Sequence, residues 1–435
     1  MIPLIHTPCD RAYNNGMQLA TDKSPHLTVP FRYLFTGIVV LIIVAAGIIA
    51  EPAAFTLPFY GSPVLLPLTH LVTLGWITMT IMGAMLQLVP VITERALFSE
   101  RIARFVFYGF LGGVAWLVAA FATGTSPAPG AGIVCAAVLL FLGDIALTMK
   151  GMKKPDLAVW FVITALGFLL VTLVTGSLAA VDMHRVIVAD PLDLLYLHIA
   201  GAGIGWVCFI IIGFSFRLIP MFVLSHGYDE SYGWTSLVLL TAGLLMLMLF
   251  FLLHLIVPGI SGIHWLGLAG SCIMVAGIIS YMLQMRVIFR MRSRKKIEPA
   301  LWFSICGTGY LLLAGIIGAG MLAFDHPERI DMVYAVIGLL GFAGMYIVGM
   351  MHKIVPFLQW YNKYSPKIGL EKVPMTKDLI SDRLTWVQLF VFNGAILLMT
   401  AGIVEQAAVI VRVSGALMLA GALAFLWNIA NVLRK

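Results

Sequence analysis

Twelve separate stretches of this chain are each long and apolar enough to cross a lipid bilayer as a helix. A hydrocarbon core of about 30 Å takes about 20 apolar residues in helical form. The stretches at roughly 31–50, 64–92, 104–124, 131–149, 157–180, 192–222, 235–257, 263–289, 300–323, 330–357, 384–403 and 409–433 meet that length with almost no Lys, Arg, Asp or Glu inside. They are numbered segments 1 to 12. With 61% of its 435 residues hydrophobic and 11% charged, the chain lacks the polar surface of a soluble domain, in which roughly a quarter of residues are charged. Lipid-exposed irregular backbone and open sheet edges are not tolerated inside a bilayer. The predicted fold is therefore an all-α integral membrane protein, with an N-terminal arm over 1–30 and a single twelve-helix domain over 31–435.

The basic residues sort by loop. Arg95, Arg101, Arg104, Lys150, Lys153, Lys154, the run Arg292, Arg294, Lys295 and Lys296, and Lys363, Lys367, Lys372, Lys377 and Arg383 lie beyond even-numbered segments, whereas only Arg185, Arg329 and Arg412 lie on the other side. With 24 of 27 on one face, both termini are expected in the cytoplasm of a bacterial or archaeal cytoplasmic membrane. The net charge of +7 then reflects topology and contact with anionic lipid, not nucleic acid. Five scattered cysteines form no CxxC or CxxCH, which argues against a redox dithiol and covalent c-type haem. His6, Cys9 and Asp10 read as a surface arm, and the thirty or so polar residues before segment 1 speak against a cleavable signal. No phosphate loop, nucleophile elbow or HExxH motif is present.

Segments 2, 6 and 10 share a pattern. Offsets of 130 and then 136 residues align Gly75, Gly205 and Gly341; Trp76, Trp206 and Phe342; Ile81, Ile211 and Ile347; Gly83, Gly213 and Gly349; Gln87, Arg217 and Lys353; and Pro90, Pro220 and Pro356. Such self-similarity is the mark of an internal repeat. The repeats cover about 31–149, 157–289 and 300–433, four segments each, and are parallel, because four crossings return the chain to its starting side. Many transporters use inverted repeats or two halves instead.

Ionisable residues inside a bilayer are costly and usually functional, and imidazole ligates both haem iron and copper. His70 lies twenty residues before Pro90, and His198 lies twenty-two before Pro220. Both segments run inward, so both imidazoles belong to the outer third. His254, near the outer end of segment 7, and His264, opening segment 8, share that level by topology. Met79, Met82 and Met85 form a stripe suited to packing, and Asp144 is an isolated acid in segment 4 that is no proton channel by itself.

Three parallel four-helix units resemble the catalytic subunit of the haem-copper oxidase superfamily, and more closely its oxidase-like NnrS-type relatives, over nearly the whole length. That resemblance implies a low-spin haem ligand from segment 2, matched by His70, and copper ligands from segments 6 and 7, matched by His198 and His254. The chain departs from the family at segment 10, where Met332–Val336 replaces an HxH pair. Its one segment 10 histidine, His352, lies sixteen residues too far inward, about 24 Å along a helix. Segment 7 has one histidine, and Tyr196 precedes His198 instead of following it. A two-haem-plus-copper site is therefore not expected. What the resemblance implies is haem b bound by His70, with His198 and His254 holding a second haem, copper or the other face of the same haem. The ligand would be a small gas, NO or O2, and any electrons would come from a quinol or a separate donor protein. His264 and His352 are weaker ligand candidates, as are Met332 and Met345. Arg217 and Lys353 either snorkel at the inner helix ends or bind an anion such as a haem propionate. Other functions open to the same bundle are transport or copper handling without redox chemistry, and haem sensing without turnover.

Overall fold

The computed structural model describes residues 23–56, 62–152, 154–257 and 259–435; His6, Cys9, Asp10 and Lys153 lie outside them. Among the described residues there are twelve long apolar helices: α1 Thr28–Ala50, α2 Leu65–Thr93, α3 Glu100–Thr123, α4 Ala128–Met149, α5 Leu157–Asp182, α6 Pro191–Val223, α7 Ser231–Ile256, α8 His264–Arg290, α9 Pro299–Ala323, α10 Arg329–Lys363, α11 Asp382–Val404 and α12 Ala408–Arg434. Each observed helix contains or closely matches one of the twelve expected segments. The chain is an integral membrane protein by this measure, and the bilayer is its environment.

Local chemistry sets many of the helix ends. The side chains of Ser99, Asp156, Asp190 and Ser381 accept the orphan N–H groups of Ile102, Val159, Leu192 and Leu384 at the starts of α3, α5, α6 and α11, as N-caps do. α2 and α6 stop alike. Four residues after each interior proline, Glu94 and Leu224 turn left-handed at φ 56° and 53°. The next N–H, of Arg95 or Ser225, then donates to the carbonyl of Pro90 or Pro220 at 3.0 Å. α10 does not stop there and runs on to Lys363.

Three helices form the interior. Of their most apolar stretches, 89% of α2, 78% of α6 and 72% of α10 is buried, against 39–50% for the other nine. The outer nine turn half their surface toward lipid; Phe105, Val174, Val238, Phe390 and Trp427 are among the large apolar side chains exposed there. A helix that is apolar all round belongs in such a core.

Each inner helix is wound wide in one place. Over Leu71–Thr78, Ala200–Cys208 and Ile337–Gly344 the backbone takes up π geometry. At the end of the first two, the N–H of Met79 reaches back to Leu74 O and that of Phe209 to Ile204 O. The same offsets of 130 and 136 residues that align the glycines and prolines also bring these stretches into register. One further backbone position recurs. A Cβ on Gly83 would meet Tyr33 Cβ at 2.7 Å and Pro30 O at 3.1 Å; on Gly213, Phe161 Cβ at 2.6 Å and Ala158 O at 3.3 Å; on Gly349, Phe303 Cβ at 2.5 Å and Ala300 O at 2.7 Å. Glycine at this position lets α1, α5 and α9 press directly against α2, α6 and α10, as small residues do between membrane helices.

Candidate functional site

The intramembrane histidines divide by what their ring nitrogens do. His70 ends the first stretch of α2, immediately before the π segment. Its Nδ1 lies 2.8 Å from Leu66 O, one turn back, so Nδ1 carries the proton and donates. That tautomer leaves the lone pair on Nε2. The ring rests on Phe121 of α3, centroid to centroid 4.7 Å. His198 lies two residues before the π segment of α6. Its Nδ1 is 3.3 Å from Thr175 Oγ1. If the Thr175 hydroxyl gives its hydrogen to a backbone carbonyl of its own helix, Val171 O at 3.0 Å or Thr172 O at 3.2 Å, the histidine is the donor here too, and the Thr172 carbonyl is a second acceptor for its ring. Gly176 gives the ring its seat: a Cβ there would stand 2.7 Å from His198 Cε1. Both imidazoles are half-buried, each held against the neighbouring outer helix, and His198 lies within electrostatic reach of His70.

His254 lies near the end of α7 with its ring 4.9 Å from that of Phe250, and His264 is exposed at the start of α8 with its ring 6.4 Å from the same phenylalanine. His254 also lies within electrostatic reach of Asp193 on α6, while Tyr196 stacks on Phe251 at 5.3 Å. The histidine ends of α6 and α7 thus meet. Among the described residues, no three His, Cys, Asp or Glu side chains converge in a group able to hold a metal ion.

His352 is different. It is only 2% exposed, lying between the rings of Phe303 and Phe425 at 5.7 and 5.0 Å. Nδ1 lies 2.6 Å from Val348 O and Nε2 lies 2.6 Å from the atom placed as Gln388 Oε1. A neutral imidazole has one N–H, so the Gln388 amide must turn its NH2 toward Nε2 while Nδ1–H donates to Val348. The nitrogen of that amide otherwise has no partner. Both ring nitrogens are spent, and the residue is buried instead of reaching toward the helix end beside Lys353.

The aligned polar residues at the proline ends each reach the start of the preceding helix. Gln87 donates to Ser24 Oγ at 2.7 Å, Arg217 pairs with Asp156 at 3.8 Å, and Lys353 pairs with Glu298. Lys353 also lies over the ring of Phe222 on α6 at 4.9 Å. Near Arg217, burial and the Asp156 and Asp229 carboxylates raise the carboxyl of Glu230, which Arg217 only partly offsets. Burial and the charge of Glu230 push the Tyr228 phenol up to about 12.

Several polar residues had no motif to announce them. Ser215 Oγ donates to Ile212 O and contacts Tyr281 Oη at 3.0 Å, Tyr281 Oη meets Tyr346 Oη at 2.5 Å, and Tyr346 Oη meets Thr308 Oγ1 at 2.8 Å. This buried chain of hydroxyls links α6, α8, α10 and α9. Tyrosines inside apolar segments 8 and 10 were its only sequence signal. Asp144 serves the fold: Oδ1 accepts the N–H of Ser99 at 2.9 Å, fastening α4 to the start of α3, while Oδ2 is buried without a partner. Met79, Met82 and Met85 are fully buried packing residues, as is Met345; Met332 is half-buried against the core.

No protein-family model matches this chain, and no curated protein matches it.

Proposed function

We propose that the protein binds haem b within the bilayer through His70 and His198, as a relative of the haem-copper oxidases built from three four-helix units with both termini in the cytoplasm. The observation that carries this reading is the shared state of the two rings. Each has Nδ1 tied to an acceptor on its own or an adjacent helix, which leaves Nε2 as the lone-pair nitrogen on two neighbouring inner helices. A metal-bound histidine is held in the same manner, its second nitrogen bonded to a carbonyl or similar group that fixes tautomer and orientation. Two neutral imidazoles, each with a lone pair on Nε2, are donors of the chemical kind that haem iron takes. Leu66 O and Thr175 Oγ1 would orient the rings, Phe121 and Gly176 would seat them, and the apolar surroundings would exclude water. When bound, haem would supply an iron able to exchange electrons with a quinol or a separate donor protein, and to take a diatomic gas such as NO or O2 where one of the two imidazoles gives way.

Protein purified from haem-replete cells and assayed as its pyridine haemochrome tests the proposal. The expected result is haem b in fixed proportion to protein. Protein that is folded yet free of haem would remove the proposal.

A further inference from the structure

Where α2, α6 and α10 face one another on the proline side of their π segments, they line a cavity of about 50 Å³. Thr80, Ala84, Ile211, Phe214, Ile347 and Met350 are among the residues that line it, all at most 9% exposed. A water molecule needs at least about 10–15 Å³ of such space, together with two to four polar partners. The space is sufficient here and the partners are missing. Ser215 and Tyr346 stand in the wall, but their hydroxyls are engaged behind it. Ser215 donates to Ile212 O and contacts Tyr281, while Tyr346 contacts Tyr281 and Thr308. The hydroxyl of Thr80 is turned to α1, where a Cβ on Gly37 would stand 2.3 Å from its Oγ1. An apolar cavity of this kind stays dry and takes up apolar atoms or molecules. It is far below the roughly 300 Å³ at which pockets for larger organic ligands begin.

We infer that this cavity is a binding site for one small apolar gas molecule of diatomic size, at the centre of the three inner helices. Thr80 follows His70 by ten residues, so the site lies at most about 15 Å along α2 from that imidazole, the π segment between them rising less per residue than an α-helix. It is thus separate from the proposed haem ligands, and it exists whether or not haem binds.

Xenon is the probe, with protein in lipid nanodiscs followed by ¹²⁹Xe NMR and by diffraction from xenon-pressurised crystals. A saturable xenon site is expected in the wild type, above the linear uptake of the lipid. Ala84→Leu, which fills the space, should weaken it at least tenfold, and Met350→Ala, which widens it, should keep or strengthen it. If Ala84→Leu does not fold, the smaller Ala84→Val serves, with a few-fold loss expected. No saturable xenon in the wild type, saturable xenon that Ala84→Leu or Ala84→Val leaves unchanged, or ordered water in the cavity would overturn the inference. The same titration on haem-free protein separates this result from the fate of the haem proposal.

Discussion

His70 and His198 on one side and His352 on the other are imidazoles on the three inner helices, yet their surroundings differ in one countable respect. The first two have one ring nitrogen bonded and are half-buried. The third has both nitrogens bonded and is packed between two phenylalanines. A histidine satisfied at both nitrogens stabilises a fold; one held at Nδ1 with Nε2 as its lone pair is prepared to bind something else. Membrane depth alone would not have separated these roles, because any imidazole in an apolar segment invites a functional reading.

The largest expected break in the comparison comes from His70→Ala. It should remove at least nine-tenths of the haem absorbance per folded protein, with thermal stability shifted by no more than about 1 kcal/mol, since the ring is partly exposed. His352→Ala should do the reverse. It removes a buried ring and unpairs Gln388, which should cost about 2–4 kcal/mol in thermal or denaturant unfolding and leave the haem spectrum of the folded fraction unchanged. Thr175→Val keeps the shape but deletes the side-chain acceptor beside His198 Nδ1, leaving the Thr172 carbonyl. Loss of such an outer partner typically lowers affinity about 10–100-fold, which haem titration of the apoprotein would measure.

The smallest effect is expected far from all three histidines. Glu230 has a carboxyl raised by burial and by Asp156 and Asp229. A carboxyl raised in the folded state binds its proton more tightly there than in the unfolded chain. Its favourable contribution is therefore present at low pH and is lost as pH rises through the folded value. Glu230→Gln should flatten the pH dependence of stability just above the ordinary carboxylate range and leave haem content alone, giving a background against which histidine effects are read.

Much of the fold was legible because a bilayer imposes a simple rule on composition. Length and apolarity marked all twelve helices, and the glycine and proline register on segments 2, 6 and 10 marked the trio that proved most buried. The π segments were not legible as such, since a π turn differs from an α turn by one hydrogen-bond step and Leu71–Thr78 carries no residue that demands it. The register nonetheless pointed at them, through Gly75, Gly205 and Gly341. The candidate histidines were legible by residue type, but their bonding was not. Nothing near His352 in the sequence announces Gln388, thirty-six residues on and on another helix. Nothing near His198 announces Thr175 or Gly176, which reach it only because α5 packs against α6. Partners of this kind are set by helix rotation and crossing, which the apolar pattern of a helix buried all round does not specify.

The central claim is that the two histidines bonded only at Nδ1 ligate haem while the one bonded at both nitrogens does not. Optical spectra of wild type, His70→Ala, His198→Ala and His352→Ala, each purified from haem-replete cells and normalised to folded protein, test it most directly. The account predicts a Soret band in the wild type, its loss or marked shift in the first two variants, and an unchanged band in His352→Ala. A band that survives intact in both His70→Ala and His198→Ala, or that disappears in folded His352→Ala, would contradict it.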